Sequence, residues 1–293
     1  MPAHIAHVPP RWSDVDSLGH VNNVVFLRYL QEARVDMLFL DAAARGTDEL
    51  ARGLIVHRHE VTYLAPLLVR TSAPVQVEVW VRAVRPASFE LGYAVVDAAD
   101  PGAPVCAVAS TVLVPYDLAG GHPRRLTAAE REVLDGFRPT GTPPGDGRQP
   151  DRAPAGWTDG GRPFVARCAV RFDDLDSYGH VNNAVLAEYL QQARIEFGHW
   201  HLDAHRADHE ATVVAGLAVD YLRPIPLRAA PVITELQVSR VGTASYDLAY
   251  QVRDGDTVFA RAATAMVAYD AASARSRPLT GGEQAALKEF AAP

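Results

Sequence analysis

DVDSLGHVNN, at residues Asp14–Asn23, returns 160 positions later as DLDSYGHVNN, at residues Asp174–Asn183. Around this motif, 15 of the 24 residues at 11–34 are identical to their counterparts at 171–194. The identical positions include charged and polar side chains as well as apolar ones. One chain therefore carries two copies of one unit, and the repeated polar motif is the first candidate for a functional site.

The repeat extends through both halves of the chain. Matching segments follow in the same order, and their offset falls from 160 residues at the motif to 153 near the end of each copy. Each copy ends in the pattern of a capping box, in which a Thr and a Glu three residues later satisfy free amides at a helix start. The two pairs are Thr127 with Glu130 and Thr280 with Glu283. The sequence therefore predicts the duplication of a whole domain.

Length and composition agree with two domains. A chain of 293 residues is long enough for two domains that each bury a core of their own. We assign the first domain to residues 1–139 and the second to residues 161–293. Residues 140–160 are rich in proline and glycine and nearly free of aliphatic side chains, so they are predicted to form a linker.

Composition also limits the partners that we expect. A formal net charge of −7 provides no basic field for nucleic acid. No stretch approaches the roughly 20 apolar residues of a membrane span, and the N-terminus lacks the pattern of a signal peptide. Cys106 and Cys168 fall at unrelated places in the two copies, so we expect two buried, reduced thiols in a cytoplasmic protein.

Each copy has the pattern of one helix followed by four strands. Apolar residues recur at helical spacing from Val21 to about Asp41, and again from Val181, so the motif spans the loop and the first turn of a helix. The alternating segments that follow are predicted as strands at 54–64, 74–85, 88–97 and 104–116, and at 211–222, 231–241, 244–253 and 257–269. This order predicts an α+β fold in which the helix packs on one face of an antiparallel sheet.

A motif at a helix entrance can support acyl transfer to water. The first turn of a helix offers backbone N–H groups and the positive end of the helix dipole to a developing oxyanion. Asp16 and Asp176 precede that turn, where a carboxylate can act as a nucleophile or as a general base toward water. The other candidates are glycines that allow close backbone approach, histidines that orient the carboxylate, the water or the leaving group, and asparagines that position water: Gly19, Gly179, His20, His180, Asn22, Asn23, Asn182 and Asn183.

The same residue types also build ordinary turns and helix caps. A single copy of the motif is compatible with no more than an Asx turn before a capped helix. The comparison of the copies favours a function. They differ at Val24/Ala184 and at Arg28/Glu188, whereas every polar residue at 16–23 is retained. Ordinary caps tolerate Ser, Thr, Asp and Asn interchangeably, so this retention indicates a stricter requirement.

The pattern D-x-D-x-x-G-H-V-N-N, followed by Y-L-Q-x-A-R, resembles the hotdog-fold acyl thioesterases. The closest group is the one similar to 4-hydroxybenzoyl-CoA thioesterase, and the acyl-ACP thioesterases are more distant. The resemblance implies two tandem hotdog domains, each a long central helix wrapped by a curved antiparallel sheet, which pair within the chain as a pseudo-dimer. Further pairing of two chains as a homodimer is also compatible with it. It implies thioester hydrolysis without a cofactor, with Asp16 and Asp176 as catalytic carboxylates and the amides near Asn23 and Asn183 polarising the carbonyl.

Departures from the acyl-ACP branch favour acyl-CoA as the substrate. Leu18 and Tyr178 stand where that branch has an Asn, and Pro66 and Pro224 stand where it has a Glu. Further residues are expected to contact the substrate, namely Tyr63, Tyr221, Arg85, Ser88 and Ser245. The arginines considered as contacts for the phosphates of coenzyme A, or alternatively as solvated strand ends, are Arg70, Arg82, Arg85, Arg228 and Arg240.

Two other functions stay open, and a metal site is not expected. A hotdog hydratase would act on an enoyl thioester, but its G-D-x-N-P-x-H signature is absent from the sequence. A non-catalytic acyl-CoA-binding module would normally carry an effector domain, for which the two predicted domains leave no room. The histidines at 199, 201, 205 and 209 have no counterparts in the first copy, so we expect a solvated helix end there and no metal.

Overall fold

The chain divides into two compact units, Met1–Asp151 and Arg152–Pro293. The computed structural model describes residues 3–41, 50, 53–69, 73–98, 102, 104–143, 156–207 and 209–291. The bounds of the linker stay a prediction, because residues 144–155 lie outside the described ranges. The pairing of the two units within the chain also stays a prediction.

The first unit is an antiparallel sheet with one long helix. Its elements within the described ranges are β1 (His4–Val8), α1 (Val25–Val35), β2 (Leu54–Tyr63), β3 (Val75–Arg85), β4 (Ser88–Asp97), β5 (Val105–Asp117), β6 (His122–Pro123) and α2 (Ala128–Asp135). The strands lie in the order β1-β3-β4-β5-β2, and β6 pairs with the end of β5. Register shifts in three of these pairings mark β-bulges, which bend and twist a sheet.

The second unit repeats this topology. Its elements are β7 (Phe164–Cys168), α3 (Asn183–His201), β8 (Glu210–Tyr221), β9 (Val232–Val241), β10 (Ser245–Asp254), β11 (Thr257–Asp270), β12 (Arg275–Ser276) and α4 (Gly281–Glu289). The strands lie in the order β7-β9-β10-β11-β8, with β12 on β11. All eight predicted strands are confirmed to within one residue at each end. The prediction missed β1 and β7, which are only five residues long each and so carry little periodicity.

Each long helix lies on the sheet with its apolar face buried. Helix α1 packs against β1 and β3, and α3 packs against β7 and β9. Their buried apolar residues include Phe26, Leu27, Leu30, Ala33, Leu186, Leu190, Ala193 and Phe197. Burial of one large apolar side chain stabilises a fold by about 1.5–3 kcal/mol, so this face holds the helix in place. The predicted α+β arrangement is confirmed in both units. No helix in the described part of the chain has the length and apolar character of a membrane span.

The two long helices begin at different points of the motif. In the second unit α3 begins at Asn183, and the side chain of Asn182 caps it. In the first unit α1 begins only at Val25 and continues after Val35 as π-helix. The prediction of helix from Val21 is therefore wrong by four residues. β-Branched Val24 stands where the second copy has Ala184, the best helix former, and Asn182 caps α3 while α1 has no side-chain cap, which accounts for the later start.

The short C-terminal helices confirm the predicted capping boxes. The hydroxyl of Thr127 accepts from the N–H of Glu130 at 3.2 Å, and the Glu130 carboxylate accepts from the N–H of Thr127 at 2.7 Å. In the second unit Thr280 and Glu283 make the same pair of bonds. Burial raises the pKa of Glu283, but hydrogen bonds from Arg277 and other donors outweigh it and lower the pKa to about 2. Both acidic caps are thus buried and charged.

The two cysteines are buried and form no disulfide, as predicted. Cys106 lies in β5 and Cys168 at the end of β7, at unrelated positions of the two units. Burial raises the pKa of both thiols above the usual value. Neither cysteine is therefore a reactive thiolate near neutral pH.

A buried histidine distinguishes the core of the first unit from that of the second. His59 of β2 is fully buried and lies opposite Thr111 of β5. The corresponding neighbour of Thr264 in the second unit is Leu217. Burial, followed by the positive charge of Arg34, lowers the pKa of His59 to about 3. Between about pH 6.5 and pH 3, the His59 imidazole therefore stays neutral in the folded chain but takes up a proton in the unfolded chain.

We expect His59→Leu to remove an acid sensitivity from the first unit. Because the folded pKa of about 3 lies below the ordinary value of 6.5, only the unfolded state takes up this proton between those values. Stability is then lost as pH falls below about 6.5, by up to about 1.4 kcal/mol per pH unit. Urea unfolding of both proteins at pH 7, 6 and 5 measures the difference.

His57→Leu is the matched control, because it removes an exposed histidine from the same strand and leaves the buried His59 in place. The leucine found at 217 indicates that this position of the fold accommodates the substitution. An unchanged pH dependence in the His59 variant would contradict the assignment.

Candidate active site

The motif folds into the same closed loop in both units. The N–H of Asp16 donates to the carbonyl of His20 at 2.8 Å, and the N–H of Gly19 donates to the carbonyl of Asp16 at 3.1 Å. In the second unit the corresponding distances are 2.8 and 3.0 Å, from Asp176 and Gly179. The loop is thus held by its own backbone at both ends.

Glycine is required in this loop by the backbone conformation. Gly19 has φ of 80° and Gly179 has φ of 77°, in the left-handed region that favours glycine. A Cβ atom at either position would meet nothing within 4 Å, so space within the chain is not the constraint. The close approach of a ligand, which the sequence suggested for these glycines, stays a prediction.

The two candidate carboxylates have the same hydrogen bonds. Oδ1 of Asp16 accepts from the N–H of Leu18 at 2.9 Å and from that of His20 at 3.3 Å. Oδ1 of Asp176 accepts from the N–H of Tyr178 at 2.9 Å and from that of His180 at 3.3 Å. Within the described residues, Oδ2 of either aspartate has no hydrogen bond. Each carboxylate is therefore oriented through one oxygen and leaves the other available to a ligand or water.

The first aspartate of each D-x-D pair has a different role. Asp14 is buried, and its Oδ2 accepts from the hydroxyl of Tyr29 and from the N–H of Arg11, both at 2.7 Å. Its carbonyl accepts from the N–H of Asn22 at 2.8 Å. Asp174 repeats the arrangement, with Tyr189 at 2.5 Å and Arg171 at 2.7 Å. Asp14 and Asp174 thus anchor the loop to the helix.

The anchoring role of these tyrosines was not predicted, since the sequence offered Tyr29 and Tyr189 only as candidate lining residues of a pocket. Tyr29 and Tyr189 are among the residues identical in the two copies, and this retention is the signal that would have identified them. Burial raises the pKa of both tyrosines, and the hydrogen bond to the aspartate raises it further. Both hydroxyls therefore remain protonated donors.

The asparagines contribute to the helix start. Oδ1 of Asn22 accepts from the N–H of Val24 at 3.2 Å, and Oδ1 of Asn182 accepts from the N–H of Ala184 at 2.8 Å. The Asn182 bond caps α3, whereas α1 has no side-chain cap and the Asn22 bond lies in the turn before it. The predicted positioning of water by these asparagines stays a prediction. Asn183 is the first residue of α3, whereas Asn23 lies in the turn before α1.

A tyrosine from the sheet holds the following peptide in both units. The hydroxyl of Tyr63 donates to the carbonyl of Asn23 at 2.7 Å, and that of Tyr221 donates to the carbonyl of Asn183 at 2.9 Å. The same peptide is therefore fixed although the two helices begin at different residues. The structure gives these tyrosines an anchoring role, and their predicted contact with substrate stays a prediction.

His20 and His180 close the loop through their backbone. Each N–H donates to the aspartate carboxylate, and each carbonyl accepts from the aspartate N–H. Both residues are partly exposed, and neither ring has a hydrogen bond within the described residues. The imidazoles thus have no hydrogen bond to the protein among the described residues.

The hairpin residues expected to bind substrate have no hydrogen bond to the loop in the described part of the chain. Arg85 is exposed and pairs with Ser88 at the β3–β4 turn. The hydroxyl of Ser245 accepts from Arg240 at 3.1 Å. The predicted roles of Arg85, Ser88 and Ser245 therefore stay predictions.

Three of the candidate arginines for coenzyme A are paired with carboxylates. Arg82 contacts Glu90 at 2.9 Å, Arg228 contacts Asp254 at 2.5 Å and Arg240 contacts Asp247 at 2.8 Å. Arg70 lies outside the described residues. The paired guanidinium groups are less available to a phosphate than a free one would be.

The histidine stretch of the second unit does not converge on one point. His201 packs against the rings of Phe164, Phe197 and Phe290, so it belongs to an aromatic cluster and not to a solvated helix end. His199 lies 3.7 Å from Asp203. No group of three or more potential metal ligands occurs among the residues that the structure describes.

Comparisons with known proteins identify relatives of the whole chain. A family model described as the thioesterase-like superfamily matches residues 10–146 and 170–288. A 12:0-ACP thioesterase from Umbellularia californica superposes with a TM-score of 0.70 at 15% identity, over 93% of this chain and 94% of that chain. An acyl-ACP thioesterase from Bacteroides thetaiotaomicron superposes with a TM-score of 0.60 at 14% identity, over 90% and 96%. The predicted hotdog fold is confirmed. The comparison with curated proteins found no match.

We expect Tyr29→Phe to destabilise the first unit by about 1–3 kcal/mol, because it leaves the buried Asp14 carboxylate with one donor fewer. Urea unfolding measures the change. Tyr116→Phe is the matched control, since it removes a hydroxyl whose hydrogen bond to Gly121 is exposed. Equal stability of the two variants would show that the Asp14 anchor is unimportant.

Proposed function

Because the chain belongs to the thioesterase-like superfamily, we propose that it hydrolyses acyl-CoA thioesters to a free acid and coenzyme A. One observation carries the proposal. In both units the second aspartate of the D-x-D pair, Asp16 or Asp176, has one carboxylate oxygen held by two backbone N–H groups. Its other oxygen has no protein partner among the described residues. Asp14 and Asp174 also use a single carboxylate oxygen, but that oxygen is held by a tyrosine of the helix. Asp16 and Asp176 are partly exposed and accept only from their own loop, which leaves the second oxygen open to a reactant.

Hydrolysis requires that the thioester carbon receive an oxygen and that the thiolate leave. The unengaged oxygen of Asp16 or Asp176 either attacks that carbon, forming an anhydride that water then opens, or removes a proton from the attacking water. Both routes release the acid and the free thiol of coenzyme A. The same oxygen in the same position serves either route, so the proposal assigns the residue and leaves the route open.

The peptide segment after the loop supplies the other half of the site. In each unit a sheet tyrosine fixes the carbonyl of Asn23 or Asn183, which keeps the adjoining backbone in one orientation. We assign to the N–H groups of this segment the stabilisation of the oxyanion that forms on the thioester carbonyl. A preorganised donor of this kind typically contributes about 10²–10³-fold to the rate.

The partly exposed imidazoles of His20 and His180 provide a proton donor or a water-orienting group for the same reaction. Each is carried by the loop that holds the aspartate, and each ring is free of other hydrogen bonds within the described residues. The left-handed glycines at 19 and 179 let each loop turn so that the histidine N–H reaches the aspartate carboxylate. These residues complete a site that needs no cofactor for hydrolysis.

The choice between coenzyme A and a carrier protein rests on sequence. The two solved relatives are named for acyl-ACP substrates, but their identity of 14–15% extends only to the fold. The residues Leu18, Tyr178, Pro66 and Pro224 replace polar groups that the acyl-ACP branch carries. We therefore favour acyl-CoA.

Substitution of both catalytic aspartates is expected to abolish thiol release. Asp16→Asn and Asp176→Asn remove one carboxylate each, and each should leave about half of the wild-type turnover, since the two units have equivalent loops. The double variant should lose at least about 10²-fold, as expected for loss of a general base. A panel of acyl-CoA and acyl-ACP substrates with detection of free thiol measures both activity and preference.

The exposed Asp256 offers a matched control, because Asp256→Asn makes the same change in a turn away from the motif. Full activity in the double variant would refute the assignment. One single variant that already abolishes turnover would show that only one unit works. Hydration of an enoyl thioester without thiol release, or binding without turnover, would identify the hydratase or the binding module instead.

A further inference from the structure

An exposed aromatic ring stands directly before the motif in both units. Trp12 is 87% exposed and Phe172 is 82% exposed. Aromatic side chains contribute most when they are buried, so a large ring left in solvent at the same place in two copies requires an explanation. The copies differ at many apolar positions nearby, such as Leu27 and Ala187, but keep an aromatic ring here.

The backbone that carries each ring is rigid. Trp12 begins a 3-10 turn that ends at Asp14, and Phe172 begins the turn that ends at Asp174. The aspartate closing each turn is hydrogen-bonded to the N–H of the residue before the ring. Each ring stands four positions before Asp16 or Asp176, which limits the distance between their backbones to about 14 Å. The hydrogen-bonded turn therefore holds the backbone that carries each ring near the candidate carboxylate.

An unpaired arginine stands next to each ring. Arg11 and Arg171 are exposed and identical in the two copies. Neither guanidinium has a hydrogen bond or a carboxylate partner among the described residues, in contrast to Arg82, Arg228 and Arg240. The carboxylates that close the two turns, Asp14 and Asp174, accept from tyrosine hydroxyls and backbone N–H groups.

We propose that Arg11 with Trp12, and Arg171 with Phe172, bind the nucleotide end of coenzyme A. An aromatic face stacks on a base without sequence preference, and a guanidinium binds phosphate through parallel hydrogen bonds. Coenzyme A presents an adenine and phosphates together, at the far end of a flexible arm from the thioester. The inference rests on the proposed function, which supplies the thioester at the aspartate, and it adds the feature that selects coenzyme A over a carrier protein.

The two pairs are unequal. Ser13 follows Trp12, whereas Asp173 follows Phe172 and adds a negative charge beside the phosphate site. Tryptophan also has the larger face for stacking and for contact with cations. The first unit therefore binds the nucleotide more tightly than the second.

Kinetics on paired substrates test the inference. The same acyl group is presented on coenzyme A and on pantetheine, which lacks the nucleotide. Trp12→Ala with Arg11→Gln should raise KM for acyl-CoA by about fivefold or more, since stacking and phosphate contact are both lost. The value of kcat, and all constants for acyl-pantetheine, should stay at wild-type values. Phe172→Ala with Arg171→Gln should have a smaller effect on KM.

Trp200→Ala with Arg275→Gln is the matched control, because it removes an exposed tryptophan and an exposed arginine that both lie outside the motif in sequence. Parallel losses on both substrates, or no loss on either, would overturn the inference. A change of oligomeric state in the Trp12 variant, seen by size-exclusion chromatography with light scattering, would overturn it in favour of a contact between chains.

Calorimetry with adenosine 3′,5′-bisphosphate separates this inference from the proposed function. Binding that depends on Trp12 and Arg11, in a wild-type chain that hydrolyses no acyl-CoA, would support the nucleotide site and refute the proposed hydrolysis. Hydrolysis of acyl-CoA with no bisphosphate binding and no effect of the Trp12 and Phe172 variants would refute the nucleotide site alone.

Discussion

The hydrogen bond from Tyr29 to Asp14, with its counterpart from Tyr189 to Asp174, connects the helix of each unit to the loop that carries the candidate catalytic carboxylate. A buried carboxylate is costly unless it is hydrogen-bonded, so Asp14 can occupy its place only when the tyrosine hydroxyl and a backbone N–H both reach it. The helix takes its own position from the sheet through its apolar face. The core therefore positions the loop through this hydrogen bond. Asp16, two residues after Asp14, is positioned in turn by the packing of the helix on the sheet.

The repeat made much of the fold predictable. Alternating segments of ten or more residues predicted eight strands, because one face of each is buried and period-two patterning is strong at that length. The order of elements then predicted a helix covered by an antiparallel sheet. The sequence did not predict the five-residue strands β1 and β7 or the start of α1, where β-branched Val24 replaces Ala184 of the second copy. These failures concern short segments and element ends, where local pattern carries least information.

The division of roles within the D-x-D pair was not predictable from composition. Both residues are acidic, both are retained, and either could have faced the core. The two aspartates differ in their hydrogen-bond donors. Asp14 accepts from the hydroxyl of Tyr29, which stands 15 residues later in the chain, whereas Asp16 accepts from backbone amides of its own loop. The shape of the loop depends on the left-handed conformation of Gly19. The sequence shows that a glycine stands there, but only the structure shows its conformation. Identity between the copies marks both roles without distinguishing them.

Strand register likewise decides whether an arginine has a carboxylate beside it or is free to bind a phosphate. Arg82 lies at a register shift between β3 and β4, and this bulge brings it beside Glu90. Arg240 meets Asp247 next to a similar shift between β9 and β10. An extra residue in a strand is not visible in a single sequence, so the sequence did not distinguish these paired arginines from arginines that could bind a phosphate. Arg11 and Arg171 have no carboxylate partner among the described residues, and the aspartates that close their turns accept from the tyrosines. Each anchored loop is therefore preceded by an exposed positive charge.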